Sequence, residues 1–188
     1  MPTIERDADL IRQIAGGDQD ALRELYAIYG QRLYAYAMRL TGDPATAEEA
    51  VQESLIAVWQ GAGRFRGQGR VIAWLLGIVH YKALNLVRGR QMDVLEEGPE
   101  EPADRGPLPD EQAARSEQRR MISSGLKHLS LEHRMVLELV FYQGLSLSEV
   151  AEVCGCPVGT VKSRLNYAKN SLRGTLSRAG INAEDVEG

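Results

Sequence analysis

The chain has 188 residues, 44% apolar and 26% charged, the composition of a folded globular protein rather than a wholly disordered one. It contains no uninterrupted run of 18 apolar residues, so no membrane span is expected. Met1-Pro2-Thr3-Ile4-Glu5-Arg6-Asp7 lacks the apolar stretch of a secretory leader. The net charge of −4 hides a strong asymmetry. Residues 1–90 hold 11 Lys/Arg against 10 Asp/Glu, residues 91–114 hold 1 against 8, residues 115–178 hold 10 against 5, and residues 179–188 hold none against 3. The acidity therefore sits in a connector and a tail, and the segments that read as folded are neutral or basic.

From the N-terminus, a first short helix ends at Gly16-Gly17, with Asp18 placed to cap the next. Leu22, Leu25, Tyr26, Tyr29, Leu33, Tyr36, Ala37 and Leu40 recur every three or four residues, the mark of a long amphipathic helix. Thr41-Gly42-Asp43-Pro44 breaks it, with Asp43 as a cap and Pro44 at a first helical position. A third helix carries Ala50, Val51, Leu55, Ile56, Val58 and Trp59. Gly61, Gly63, Gly67 and Gly69 then mark a loop, and a fourth helix is expected from Val71 to about Arg88.

Residues 91–114 combine eight acids with Pro99, Pro102, Pro107 and Pro109. Such a segment cannot bury a core and reads as a flexible acidic linker. Beyond it the expected helices are Gln112–Leu129, Glu132–Gln143 stopping at Gly144, Leu147–Cys154 capped by Ser146, and Val158 to about Leu176 after the break Gly155-Cys156-Pro157. The fold class is all-α. Two small helical domains, 1–90 and 115–178, are joined by the linker 91–114 and followed by an acidic tail, 179–188.

A short helix, a tight glycine-bearing turn and a longer helix make a helix-turn-helix, whose second helix lies in a DNA major groove. Its apolar side is Val161, Leu165, Ala168, Leu172 and Leu176. The rest carries Thr160, Lys162, Ser163, Arg164, Asn166, Tyr167 and Lys169, and no acid lies between Val158 and Arg178. Cations attract phosphate, and short polar side chains near a helix start reach base edges. The first domain has a second acid-free stretch between Glu53 and Asp93. It holds Arg64, Phe65, Arg66, Arg70, Tyr81, Lys82, Asn85 and Arg88, a mixture of cations and rings suited to an unpaired strand. Trp59 and Trp74 read as core anchors. Just before it, Glu48, Glu49, Gln52 and Glu53 form one polar stripe, which reads as a solvated face or, better in this context, as a docking surface for a basic partner.

Cys154 and Cys156 are too few for a disulfide framework or a structural zinc, and they read as small buried residues beside the turn. The expected compartment is the reducing cytoplasm. His80, His128 and His133 lack companions for metal binding or nucleophilic catalysis. No enzyme activity, cofactor or metal is expected.

These residues resemble the extracytoplasmic-function (ECF) sigma factors of the sigma-70 family. The resemblance rests on Gly17-Asp18 with Leu25-Tyr26, on Ala47-Glu48-Glu49-Ala50-Val51-Gln52-Glu53, on Arg64-Phe65-Arg66-Gly67 with Trp74-Leu75, and on Gly155-Cys156-Pro157-Val158-Gly159-Thr160-Val161-Lys162-Ser163-Arg164-Leu165. It implies a region-2-type domain and a region-4-type domain. Glu48, Glu49, Gln52, Glu53 and Leu55 would bind the coiled coil of the largest subunit of core RNA polymerase. Arg64, Phe65, Arg66, Arg70, Tyr81, Lys82, Asn85 and Arg88 would bind and melt the −10 element of promoter DNA. Thr160, Lys162, Ser163, Arg164, Asn166, Tyr167 and Lys169 would read the −35 element. An anti-sigma factor would hold the free protein silent. The chain departs from the family at His80-Tyr81, where many members carry Arg-Asn. An ordinary helix-turn-helix regulator that never meets polymerase is one alternative; an enzyme or adaptor built on helical domains is another.

Overall fold

The computed structural model describes residues 4–67, 69–97 and 129–178; every regular element among them is helical. The expected helix Gln112–Leu129, apart from Leu129 itself, the linker beyond residue 97 and the tail 179–188 lie outside the described residues. The chain divides into two compact units. A first unit holds helices α1 (Ile4–Ala15), α2 (Gln19–Thr41), α3 (Pro44–Gly61) and α4 (Val71–Glu97). The second holds α5 (Leu131–Leu137), α7 (Val158–Arg178) and the start of α6 (Leu147–Cys154).

In the first unit the chain's punctuation does what its chemistry requires. The Asp18 carboxylate accepts from the backbone N–H groups of Asp20 and Ala21, satisfying donors that an α-helix start leaves open. Gly42 ends α2 at φ 66, a left-handed geometry that a Cβ disfavours, and its N–H returns to the Met38 carbonyl. Asp43 then caps α3 by accepting from the Thr46 N–H at 2.9 Å, with Pro44 in the first turn. The helices pack α2 on α3 and α4, α3 on α4, and α1 on α2. Ile11, Ile14, Leu25, Leu33, Tyr36, Val58, Leu75, Leu76 and Val79 fill the space between them. Tyr36 is fully buried, and its hydroxyl lies 2.9 Å from His80 Nδ1, so the core's polar oxygen is satisfied.

Two expectations change here. Helix α4 runs to Glu97, past Arg88 and into the stretch read as linker. Acid and proline content marks where a core cannot form, but a helix already nucleated on a core propagates outward until proline stops it. In addition, Val71–Arg90 is long and apolar enough to cross a membrane. Its apolar residues Val71, Ile72, Leu75, Leu76, Val79 and Ala83 are instead buried in a unit where α4 packs on α2 and α3.

In the second unit, Ser130 caps α5 and accepts from the His133 N–H. Ser146 and Glu149 form a reciprocal capping box at α6: the Ser146 N–H donates to Glu149 Oε2 at 2.8 Å, and the Glu149 N–H donates to Ser146 Oγ at 3.3 Å. The helix expected over Glu132–Gln143 is not uniform. After Leu137 it widens into a π turn, Glu138–Tyr142, closed by the Gln143 N–H on the Glu138 carbonyl. The extra residue brings the buried Gln143 amide within 3.0 Å of the buried Glu138 carboxylate, so the two groups satisfy each other. The core is Leu129, Met135, Val136, Leu139 and Leu145 with Val161, Leu165 and Ala168 of α7.

Leu76→Ala leaves a cavity in the fully buried centre of the first unit and is expected to cost about 2–5 kcal/mol of unfolding free energy. Tyr26→Ala, on a residue read as core but 49% exposed, is expected to shift stability by less than about 1 kcal/mol. Urea unfolding of both variants checks the contrast.

Candidate nucleic-acid and polymerase interfaces

Helix α7 presents the expected face. Pro157 precedes it, where its missing N–H costs nothing, and its carbonyl accepts from the Thr160 and Val161 N–H groups. Val161 and Ala168 are fully buried and Leu165 nearly so, which turns Lys162, Ser163, Asn166, Tyr167 and Lys169 outward. Thr160 is half-buried, and the Ser163 hydroxyl donates to its carbonyl. Tyr167 lies over the His133 ring with centroids 4.4 Å apart. Lys169 Nζ sits 5.5 Å from the centre of the exposed Phe141 ring. These two contacts hold two long side chains of the helix in place.

Arg164 behaves differently from its neighbours. Its guanidinium donates to Glu132 of α5 at 2.6 Å and approaches Cys156 Sγ at 3.9 Å. It ties α7 to α5 and to the turn. Cys154 and Cys156 are half-exposed, not buried as expected, because the tight turn leaves them at its rim.

In the first unit the acid-free stretch is gathered around the 62–70 loop. A 3-10 turn, Ala62–Arg64, follows α3, and Phe65 then folds back on Trp74 with ring centroids 5.1 Å apart. Trp74 is half-buried and anchors the loop; Trp59 is half-buried as well. Arg64 and Arg66 are exposed, and Arg70 is half-buried. On α4, Tyr81 is 65% exposed, with Asn85 and Arg88 one and two turns on. His80, the other residue of the departing pair, points inward to Tyr36, so Tyr81 alone offers that position to a ligand.

The acidic stripe is divided by its neighbours. Glu48, Gln52 and Leu55 of α3 line a groove of about 620 Å³ with Tyr26 and Tyr34 of α2. The Tyr26 ring lies on Gly30, where an added Cβ would come within 2.6 Å of it. Glu53 instead receives Lys82 Nζ at 2.9 Å, and Glu49 faces Arg90 at 3.7 Å, while Arg90 also donates to Asp43 at 2.9 Å. Lys82, expected on DNA, and Glu53, expected on polymerase, are thus partners of each other. Sequence reasoning missed the groove because Tyr26 shares the spacing of core residues. The readable signal was Gly30, four residues after Tyr26, which leaves room for a ring on the surface.

The titrating groups fit their settings. Burial, with the Arg88 charge second, lowers His80 to about 4, so it is neutral at physiological pH. Hydrogen bonds from Thr46, aided by Arg90, hold Asp43 at about 2. Burial and the neighbouring Asp7 carboxylate push the Tyr29 phenol up. Among the described residues no cluster of His, Cys, Asp or Glu could hold a metal ion.

Two helical modules, one a helix-turn-helix and each carrying an exposed basic face, define a DNA-binding protein. Family comparison makes this specific. Residues 25–92 match Sigma-70 region 2, and residues 125–174 match Sigma-70 region 4. The chain is 34% identical over 180 residues to the ECF RNA polymerase sigma factor SigK of Mycobacterium tuberculosis (strain ATCC 25618 / H37Rv), covering 93% of this chain and 96% of that one. It is 36% identical over 169 residues to SigL of M. tuberculosis (strain CDC 1551 / Oshkosh), covering 89% and 95%. Among solved structures it resembles CnrH in complex with the cytosolic domain of CnrY (TM-score 0.65, 27% identity, 92% of this chain and 97% of that one). It also resembles the sigma factor RpoE in complex with the anti-sigma factor NepR from Bartonella quintana (TM-score 0.64, 26% identity, 82% and 96%). The chain belongs to the ECF group of the sigma-70 family: it is an RNA polymerase sigma factor, a transcription initiation factor and not an enzyme.

Acid titration tests the interior. The unfolded chain takes up a proton on His80 near pH 6.5, and the folded chain does so only near 4. Stability from neutral His80 is complete above about pH 6.5 and is lost as pH falls from there toward 4, by roughly 1–3 kcal/mol. His80→Gln is expected to remove that slope from unfolding free energy measured across the window.

Proposed function

We propose that the two units divide promoter recognition between them. Helix α7 reads the −35 duplex through Lys162, Ser163, Asn166, Tyr167 and Lys169, with Thr160 at its first turn and Arg164 as the residue that positions it. The 62–70 loop and α4 take the −10 strand once it is unpaired. Arg64, Arg66, Arg70 and Arg88 meet phosphates; Phe65, Tyr81 and Asn85 meet bases. Lys82 joins them when it leaves Glu53. The α2–α3 groove, with Glu48, Gln52 and Leu55, and with Glu49 and Glu53 beside it, receives the coiled coil of the largest subunit of core polymerase. Residues 1–90 and 115–178 act as the two binding domains, residues 91–114 as the tether and 179–188 as a tail. The working compartment is the cytoplasm, where polymerase is.

The observation that carries this reading is the outward face of α7, which holds cations and short polar groups and no acid, directly after a capped helix and a three-residue turn. Phosphate neutralisation supplies affinity and the polar groups supply sequence choice. Of the similar structures, CnrH is in complex with the cytosolic domain of CnrY and the sigma factor RpoE with the anti-sigma factor NepR. By analogy, an anti-sigma factor covers this chain's basic faces when transcription is not required.

In vitro transcription tests the assignment. Core polymerase with this chain is expected to initiate at a cognate promoter. Lys162→Ala with Asn166→Ala should lower −35-dependent initiation at least tenfold, because each lost base or phosphate contact costs about 1–3 kcal/mol. Gln52→Ala with Leu55→Ala should weaken core binding and leave duplex −35 binding by the free chain intact. Retained initiation by the α7 double variant would refute the −35 assignment.

A further inference from the structure

The first turn of α5 reaches α7 at two neighbouring points. Glu132 accepts from the Arg164 guanidinium at 2.6 Å, and His133 stacks on Tyr167 with ring centroids 4.4 Å apart and planes inclined by 29°. Arg164 and Tyr167 stand three positions apart, so they lie on one side of α7. The first contact ties helix to helix. The second acts on a residue that does not fill the core, since Tyr167 is 60% exposed. His133 is itself held in place. The Ser130 hydroxyl, which caps α5, lies 2.7 Å from its Nδ1. The imidazole is thus a fixed, half-buried plate at the start of α5, and the phenol ring lies against it. Offset stacking of two rings at this separation is attractive and sets their orientation as well as their distance.

An exposed tyrosine on a helix otherwise samples more than one rotamer. Here one is selected: one ring face rests on His133 and the other is left open, one turn after the exposed Ser163. Base edges in a major groove offer hydrogen-bonding groups and a single apolar one, the C5-methyl of thymine. An open aromatic face gains most there by covering that methyl. We propose that His133 is a positioning residue for base choice: it holds Tyr167 so that the free face of the ring covers the C5-methyl of one thymine in the duplex that α7 reads. His133 need not touch DNA to do so. Without it the ring is ordered only at the moment of binding, and the rotamer freedom lost then is subtracted from affinity. The proposal rests on the reading that α7 enters the major groove. It adds which feature of one base pair is recognised, and which residue outside α7 makes that recognition possible.

The test uses the full-length chain, which first selects its preferred sequence from a pool of duplexes with a randomised centre. Each thymine of the selected duplex is then replaced in turn by deoxyuridine, which removes the methyl and keeps the pairing. Fluorescence anisotropy gives the affinity ratio at each position. One position is expected to lose about fourfold, the effect of burying one methyl group. Tyr167→Ala and His133→Ala should each abolish the methyl preference at that position and leave the ratios at other thymines unchanged. In a Tyr167→Ala background, His133→Ala should change nothing further there. His133→Phe restores a ring without the imidazole and should return the preference. His133→Leu, which keeps bulk but not the plate, takes the place of His133→Ala should that variant fail a thermal-melting check. A merely structural His133 would weaken every duplex alike and leave the methyl ratio intact. A wild-type scan with no methyl-sensitive position, or a sensitive position that survives Tyr167→Ala, overturns the proposal. A chain that selects no sequence at all overturns the reading of α7 as a duplex reader, and this assignment with it. One that selects a sequence and keeps its methyl preference in a folded protein without a ring at position 133 overturns the role of His133 alone.

Discussion

Helix α4 serves two environments at once, and the first unit depends on that double duty. Its inner side, Leu75, Leu76, Val79 and Ala83, is the centre of a four-helix core. Its outer side, Tyr81, Asn85 and Arg88, is open to solvent and free of acids. A helix so apolar stays in water only because α2 and α3 take its inner side. The loop before it inherits that rigidity through the Phe65–Trp74 contact. An exposed basic surface built on a core helix is positioned by packing, which holds side chains more firmly than a loop alone does.

Charge is arranged with equal economy. Helices α3 and α4 are joined by Lys82–Glu53 and by Arg90 between Asp43 and Glu49. Exposed pairs of this kind contribute about 0–1 kcal/mol each, so they do little to hold the fold. Their weight lies in what they occupy. An acidic stripe and a basic face stand on neighbouring helices, and the pairs between them keep each partly neutralised. Lys82–Glu53 and Arg90–Glu49 thus join the acidic stripe of α3 to the acid-free side of α4. In the second unit Arg164 plays a quieter part, spending its charge on Glu132 so that the helix beside it sits at a fixed angle to the turn.

Most of the architecture was readable before any coordinates, because the chain is heavily punctuated. Asp18, Gly42, Asp43, Pro44, Ser130, Ser146 and Gly155 each bring a local rule that neighbouring residues suffice to apply. The two modules followed from the contrast between their composition and that of the segment joining them. The family was legible in the helix-turn-helix string and in the stripe at Glu48–Glu53. The misreadings came where a local rule had competition. Tyr26 repeats at core spacing and lies on the surface over Gly30, and the helix through Glu138–Tyr142 widens to pair two buried polar groups. Cys154 and Cys156 look apolar in sequence and sit at the rim of a turn.

The sequence alone determined where helices α2 to α7 begin, that all of them are helices, and which stretches lack acid; these are properties of neighbours along the chain. Only the tertiary structure decided which charges are spoken for. Glu53 meets Lys82 across 29 positions, Arg164 meets Glu132 across 32, and Asp7 meets Tyr29 across 22. No spacing rule relates residues that far apart, because their distance is set by how helices pack rather than by how the chain runs. The same packing left one oxygen of Asp7 without a donor, which no reading of composition or periodicity contains.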